Sequence, residues 1–117
     1  MGNIEAHFKL GVVEKDEEKA VFHYEKAAIG GHPEARHALA VIEEENCNME
    51  RAVKHAVVAA NQGYELSMKA LWRYYSAGYI TKEELEAALR TNKAAIDATI
   101  SPQRKIAEEV FRKLLHE

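Results

Sequence analysis

Apolar residues recur along the chain at intervals of three and four, the spacing that places them on one face of an α-helix. The clearest apolar stripe lies near the end of the chain, at Ile106, Val110, Phe111, Leu114 and Leu115. Residues that favour helix starts, among them Asp16, Pro33 and Thr81, and glycines that follow helices divide the pattern into segments. These signals predict seven helices and no strand, with the helices at residues 4–13, 16–29, 33–45, 48–62, 65–77, 81–95 and 101–116.

The chain also repeats itself at an offset of 32 residues. When residues 20–39 are aligned with residues 52–71, eight of the twenty positions are identical, far more than chance gives. The identities are Ala20/Ala52, Val21/Val53, His23/His55, Ala27/Ala59, Ala28/Ala60, Gly31/Gly63, Ala38/Ala70 and Leu39/Leu71. A period of roughly 30–40 residues is typical of stacked helical hairpins.

The repeated small residues indicate how the hairpins pack. Alanines such as Ala27 and Ala59 let neighbouring helices approach closely, and Leu39 and Leu71 fill the space between layers. Because one hairpin leaves its apolar face uncovered, neighbouring hairpins must stack on it. We therefore predict an all-α fold in one domain, residues 1–117, formed as a right-handed α-α superhelix of about three antiparallel helix pairs. The expected repeat units are residues 3–31, 32–63 and 64–97, and the helix at 101–116 is expected to cap the open end.

Composition excludes several classes of protein. The 117 residues carry a net charge of −3, which removes the electrostatic basis for nucleic-acid binding. The single cysteine excludes a disulfide framework and a zinc site built from several thiolates. No apolar run approaches the ~20 residues that cross a bilayer. We expect a soluble, intracellular and cytoplasmic protein that binds neither nucleic acid nor membrane and uses no cofactor.

The repeat has a recognisable composition. The segment KAVFHYEKAA at residues 19–28, followed by GHPEA at 31–35, is matched in the second unit by RAVKH at 51–55 and AANQG at 59–63. These motifs resemble the Sel-one-like repeat family of tetratricopeptide-type helical solenoids. The segments ITKEEL at 80–85, LRT at 89–91 and SPQR at 101–104 are similar to the ending of repeat proteins from some unicellular algae. The resemblance implies a curved, non-catalytic scaffold that binds proteins or peptides, either an algal-type repeat protein or an engineered derivative.

The resemblance also implies which residues line the concave surface. The first helix of each pair faces the groove, which places Glu34, His37, Val41, Lys69 and Arg73 there, with Phe8 and Val12 at one end. A groove of mixed charge suits a protein or peptide segment better than a polyanion. We expect the protein to be a monomer or a weak homo-oligomer.

Two other functions compete with this interpretation. Ala38, Ala40 and Ala56 depart from the family pattern and would simplify the surfaces, as in an engineered or self-associating structural scaffold. Alternatively, Cys47 could be the nucleophile of a cysteine-dependent hydrolase, because it precedes a helix N-terminus. A nucleophile needs a base within about 3 Å, whereas His55 lies roughly 12 Å along the next helix. We therefore predict a turn residue at Cys47 and no enzyme activity.

The other polar and aromatic residues that could form a functional site are expected to have structural roles. None of the six histidines, at positions 7, 23, 32, 37, 55 and 116, has a partner three or four residues away in one helix, so no metal site is expected. The repeat equivalents His23 and His55 are expected to be half-buried between layers. Glu43, Glu44 and Glu45 point about 100° apart and should not converge. We expect Trp72, at the position of Gly11 and Ala40 in earlier units, to pack in the core.

Overall fold

The computed structural model describes the backbone of residues 2–99 and 102–115, and the side chains within 3–99 and 105–115. This part of the chain consists of helices joined by short turns, and it contains no strand. The helices are α1 (Gly2–Val13), α2 (Glu17–Ile29), α3 (Pro33–Glu45), α4 (Met49–Asn61), α5 (Glu65–Ser76), α6 (Lys82–Thr99) and α7 (Pro102–Leu115). The all-α prediction is confirmed. Ser101, the first residue of the last predicted helix, and His116 lie outside the described residues.

Local signals fix most helix starts. The Asp16 carboxylate accepts a hydrogen bond from the Lys19 amide at 3.2 Å, as expected of an N-cap. At α6 the predicted capping box forms, because the Glu84 amide donates to the Thr81 hydroxyl at 3.1 Å and the Thr81 amide donates to Glu84 at 3.0 Å. Asn48 precedes α4, but its side chain makes no capping hydrogen bond. Asn48 is thus the N-cap residue of α4 by position only.

Four helices, α2 to α5, end in the same turn, a Schellman motif. In each, the residue after the C-cap has a positive φ and donates its amide to a carbonyl three residues back, and the next amide donates five residues back. The residues with positive φ are Gly31, Cys47, Gly63 and Gly78. Cys47, at φ 63°, is the only one of them with a side chain. The prediction of a turn residue at Cys47 is confirmed.

Several residues that are equivalent in the repeat have matching burial or backbone conformation. Ala27 and Ala59 are completely buried, Gly31 and Gly63 have φ values of 94° and 93°, and Leu39 and Leu71 are both buried. One apolar cluster lies between α4, α5 and α6 and a smaller one between α1, α2 and α3. The molecule measures 60 × 38 × 17 Å, and its radius of gyration of 17.2 Å exceeds the about 13 Å expected of a compact chain of this length. The molecule is therefore elongated rather than compact.

The last helix does not behave as a cap. All side chains described in α7, residues 105–115, are exposed, including the whole apolar stripe that was expected to close the stack. Helix α6 continues to Thr99, beyond the predicted end at residue 95, and its residues 97–99 are exposed as well. Helix α7 thus begins beyond the packed part of α6, and the expectation that it covers the open end is wrong.

Candidate functional site

The five predicted groove residues lie on two helices. Glu34, His37 and Val41 follow one another on α3 at intervals of three and four residues, and Lys69 and Arg73 do so on α5. We call this set the α3–α5 face. Side-chain contacts join the two helices at His37 and at Arg73, and they determine how much of each residue is available to a partner.

His37 is held by Ser67, which is buried, and by Tyr64, which is half-buried. Its Nδ1 lies 2.8 Å from the Oγ of Ser67 on α5, and its ring centroid lies 5.4 Å from that of Tyr64. Burial lowers the pKa of His37, and the nearby Arg73 guanidinium lowers it further. His37 is therefore neutral at pH 7 and adds no charge to the α3–α5 face.

The His37–Ser67 pair has the atom types of a base and a nucleophile. Ser67, however, is completely buried, so a substrate cannot reach its hydroxyl oxygen. The hydrogen bond joins α3 to α5 across the seam between two hairpins. Its chemical role in this arrangement is to satisfy two polar groups that packing has removed from water.

Arg73 is oriented by Glu44 of α3. Its Nη1 lies 3.1 Å from a Glu44 carboxylate oxygen, and its guanidinium lies 5.4 Å from the Tyr74 ring centroid. Burial raises the pKa of Tyr74 to about 12, with a further contribution from its hydrogen bond to Glu44. Glu44, Arg73 and Tyr74 thus form a second link between α3 and α5, and they fix the direction of an exposed cation.

The rest of the α3–α5 face is open to solvent. Lys69 lies 3.8 Å from Glu65, its i−4 neighbour, and both side chains are exposed, so this ion pair is weak. Glu34 and Val41 are exposed too. Trp72, three residues after Lys69 and therefore beside it, is 49% exposed. The expectation that Trp72 packs in the core is wrong, because a ring of this size cannot enter the space that a methyl group fills at Ala40.

Phe8 and Val12, the two residues expected at one end of the groove, lie in different environments. Phe8 is half-buried and stacks on His32 at a centroid distance of 4.4 Å, within the cluster between α1, α2 and α3. Val12 is exposed. The structure therefore makes Phe8 a packing residue and leaves Val12 on the surface.

The residues considered for catalysis, Cys47 and the glutamates at 43–45, do not come together in one site. Cys47 is exposed, and the residues that line the depression beside it, Asn48, Met49, Glu50 and Arg51, include no histidine. Glu44 binds Arg73, whereas Glu45 is exposed, so the run of glutamates does not converge. The residues around this depression therefore supply no histidine base to the thiol.

His23 and His55 are half-buried, as predicted. His23 Nδ1 lies 3.0 Å from His7 Nδ1, and His55 Nδ1 lies 3.4 Å from Arg36. Each of the two rings thus contacts the first helix of its own hairpin, α1 or α3, whereas the sequence predicts a position between layers. Within residues 2–99 and 102–115, no group of three or more histidine, cysteine or acidic side chains is placed to hold a metal ion.

Two clefts between α4 and α6 were not predicted. The larger, of about 320 Å³, is lined by Met49, Glu50, Val53, Lys54, Tyr79 and Glu84. The smaller, of about 220 Å³, shares Glu84 with it. The spacing of Met49, Val53 and Val57 on α4 is the sequence signal that indicates this apolar surface. Glu84 is engaged in the capping box, whereas the Oδ1 atom of Asn61, which lines the smaller cleft, is buried and has no hydrogen-bond partner.

Across the helices that the structure describes, none is both long enough and apolar enough to cross a membrane. Comparison with known proteins gives no match, since no family model, no curated protein and no solved structure is significantly similar to the chain.

Proposed function

We propose that the chain is a non-catalytic scaffold that binds a peptide or protein segment on the α3–α5 face. In this proposal the hairpins α1–α2, α3–α4 and α5–α6 stack as a right-handed superhelix of the Sel-one-like type, with α1, α3 and α5 on its inner side. The repeated Schellman turns and the elongated shape support such a stack. The proposal assigns no reaction, cofactor or metal to the chain.

The observation that carries the proposal is the grouping of exposed recognition residues on rigid helices. Trp72, Lys69 and Arg73 lie within one turn of α5, and tryptophan and arginine are enriched in the residues that dominate protein interfaces. Glu44 already fixes Arg73, so binding loses less side-chain entropy there. We propose a partner segment that places an acidic side chain near Lys69 and Arg73, and an apolar one against Trp72 and Val41.

The experiment selects peptides from a displayed random library on the wild-type chain and measures their affinity for two double variants. The first variant, Lys69→Glu with Trp72→Ala, changes the α3–α5 face. The control, Lys54→Glu with Tyr79→Ala, changes a lysine and an aromatic residue on the side of the α4–α6 clefts. Lys54 is a close match for Lys69, since it is similarly exposed and lies 3.6 Å from its own i−4 glutamate.

We expect the first variant to weaken binding at least about tenfold, since tryptophan contacts carry much of an interface's energy and a glutamate at position 69 would repel the partner's acidic side chain. The control should change affinity less than about twofold. Selected peptides that lose affinity only for the control variant would place binding at the α4–α6 clefts and overturn the proposal. Thermal unfolding of both variants checks that each remains folded.

A further inference from the structure

The smaller cleft between α4 and α6 contains a polar atom that lacks a partner. The Oδ1 atom of Asn61 is buried and accepts no hydrogen bond, and Asn61 lines this cleft of about 220 Å³. A buried acceptor without a donor costs free energy, which a ligand that supplies the donor can recover. Asn61 as a whole is only half-buried, so its amide can turn toward a donor in the cleft.

Thr91 lies at the same end of the cleft as Asn61. The side-chain amide of Asn92, the next residue, donates to the Ala60 carbonyl at 2.8 Å, and this bond holds α6 against the end of α4. The Thr91 hydroxyl donates its only hydrogen to the Ala87 carbonyl at 3.1 Å, so it can only accept a hydrogen bond from a ligand. This end of the cleft thus presents two neutral acceptors.

Glu84 provides a third acceptor, with a negative charge, at the other end of the cleft. It precedes Thr91 by seven residues on α6, which is about 10 Å along the helix axis. The Thr81 amide donates to Glu84 Oε1 at 3.0 Å and holds the carboxylate in place, while Oε2 is available to a ligand. The remaining residues that line this cleft are apolar: Val57, Ala87 and Ala88.

These features match one class of ligand, an aliphatic diamine. Glu84 attracts an ammonium group, and such a charge-assisted hydrogen bond is stronger than a neutral one. At the other end, two acceptors require a group with at least two donors, which a second ammonium group has and a hydroxyl group lacks. Methylene groups between the two nitrogen atoms would cover the apolar lining. The cleft is smaller than the roughly 300–1,000 Å³ of sites for drug-sized molecules, so its occupant is small.

We propose that the smaller cleft binds an aliphatic diamine, with one ammonium group at Glu84 and the other at Asn61 and Thr91. In the adjoining larger cleft, Lys54 lies 3.6 Å from Glu50 and their charges offset each other, which leaves Glu84 as the uncompensated charge of the two clefts. No residue of α3 or α5 lines the smaller cleft, so the site is separate from the α3–α5 face and does not depend on the proposed peptide binding.

The first test titrates the full chain with hexamethylenediamine at pH 7, where both amines are protonated, and follows the methyl signals of Val57, Ala87 and Ala88 by NMR. We expect these signals to shift to saturation. The neutral hexanediol and the anionic hexanoate have the same chain length without the ammonium groups, and they should bind at least about tenfold more weakly. Hexylamine, which has one ammonium group, should have an intermediate affinity.

The second test changes the two ends of the cleft separately. Glu84→Gln removes the charge and keeps the capping box, since glutamine also serves in that motif. It should weaken diamine binding about fivefold or more, because the charged hydrogen bond is lost. Glu83→Gln is the control, since it makes the same change of net charge on an exposed residue that lines neither cleft, and it should alter affinity less than about twofold.

The variants at Asn61 test the neutral end. Asn61→Leu removes the acceptor and should lower the affinity for hexamethylenediamine to about that for hexylamine. Asn61→Asp keeps an acceptor and adds a negative charge, so it should bind the diamine more tightly than wild type. Thermal unfolding of each variant checks that it remains folded.

Three results would overturn the proposal. If the methyl signals do not shift at the highest concentration of hexamethylenediamine, the cleft does not bind a diamine. Equal affinities for hexamethylenediamine and hexanediol would show that the cleft recognises only the apolar chain. If Glu83→Gln and Glu84→Gln weaken binding equally, the diamine is attracted to the acidic surface in general and has no site at Glu84.

Discussion

Replacing Cys47 by glycine is expected to stabilise the protein, because Cys47 holds a conformation that disfavours a side chain. Its φ is 63°, where the other three Schellman turns of the described chain have glycine. The Cys47 amide donates to Glu44 O at 3.0 Å and the Asn48 amide donates to Glu43 O at 2.8 Å, so the turn is fully formed. The thiol is exposed, and its removal leaves no cavity in the core.

The magnitude follows from two opposing contributions. The left-handed conformation costs a residue with a side chain about 1–2 kcal/mol. Glycine makes the unfolded chain more flexible, and this lowers the free energy of unfolding by about 0.4–1 kcal/mol. The net gain for Cys47→Gly is about 1 kcal/mol, which corresponds to a rise in melting temperature of about 4 °C for a domain of this size.

The assay is urea unfolding followed by circular dichroism, with the free energy of unfolding compared among variants. Cys47→Ala is the control for loss of the thiol, because it keeps a side chain at positive φ, and it should stay within about 0.5 kcal/mol of wild type. Gly78→Ala tests the reverse change. An added Cβ at Gly78 would contact no atom within 4 Å, so backbone strain alone should destabilise that variant by about 1 kcal/mol.

The reasoning is refuted if Cys47→Gly is no more stable than Cys47→Ala. That result would mean that the left-handed turn carries no side-chain penalty at this position. A Gly78→Ala variant as stable as wild type would contradict the same argument at the equivalent turn of the next hairpin.

Three further predictions concern the core and the titratable groups. Leu71→Ala, at a completely buried site, should lower the free energy of unfolding by about 3 kcal/mol in the same assay, while Val13→Ala, at an exposed site, should have little effect. Burial lowers the pKa values of His37 and His55 from 6.5, so the unfolded chain binds protons that the folded chain does not. Stability should therefore be full above that pH and decline as the pH falls below it, and a His37→Gln, His55→Gln variant with the same slope as wild type would contradict the assignment. Because the pKa of Tyr74 is raised to about 12, stability should fall as the pH rises from 10 toward that value, and Tyr74→Phe should remove the corresponding step from the ultraviolet titration of tyrosine.

The sequence predicts local structure well where the backbone needs something that only a few residue types can supply, such as a capping hydrogen bond or a positive φ. Thr81 and Glu84 satisfy each other's amides, and Gly31 and Gly63 supply the positive φ of a Schellman turn, so the helix boundaries there follow from the residues alone. At Asn48 the residue type alone does not predict the hydrogen bond. Asparagine is a good N-cap in general, but its side chain caps a helix only if the preceding turn orients it, and the turn through Cys47 does not.

Tertiary features were harder to predict, because they depend on how closely helices approach. At Gly11 a Cβ would lie 2.7 Å from the Tyr24 ring, and Ala40 is completely buried, so this repeat position has room for small residues only. An alignment assigns Trp72 to the same position without showing that its ring has to turn outward. The polar links of the α3–α5 face, His37 to Ser67 and Glu44 to Arg73, likewise join residues about 30 positions apart, a distance at which helical periodicity gives no information on side-chain pairing.

The unequal size of the two apolar clusters has a consequence for local unfolding. The cluster between α4, α5 and α6 contains Leu71, Met68 and Leu85 among its buried residues, whereas the one between α1, α2 and α3 has few buried side chains larger than a methyl group. In the proposed stack each hairpin contacts only its neighbours, so the two ends of the layer can open independently. Backbone amides of α1 should exchange with deuterium well before those of α4, so the protein would lose its order from one end of the layer while the other remains intact.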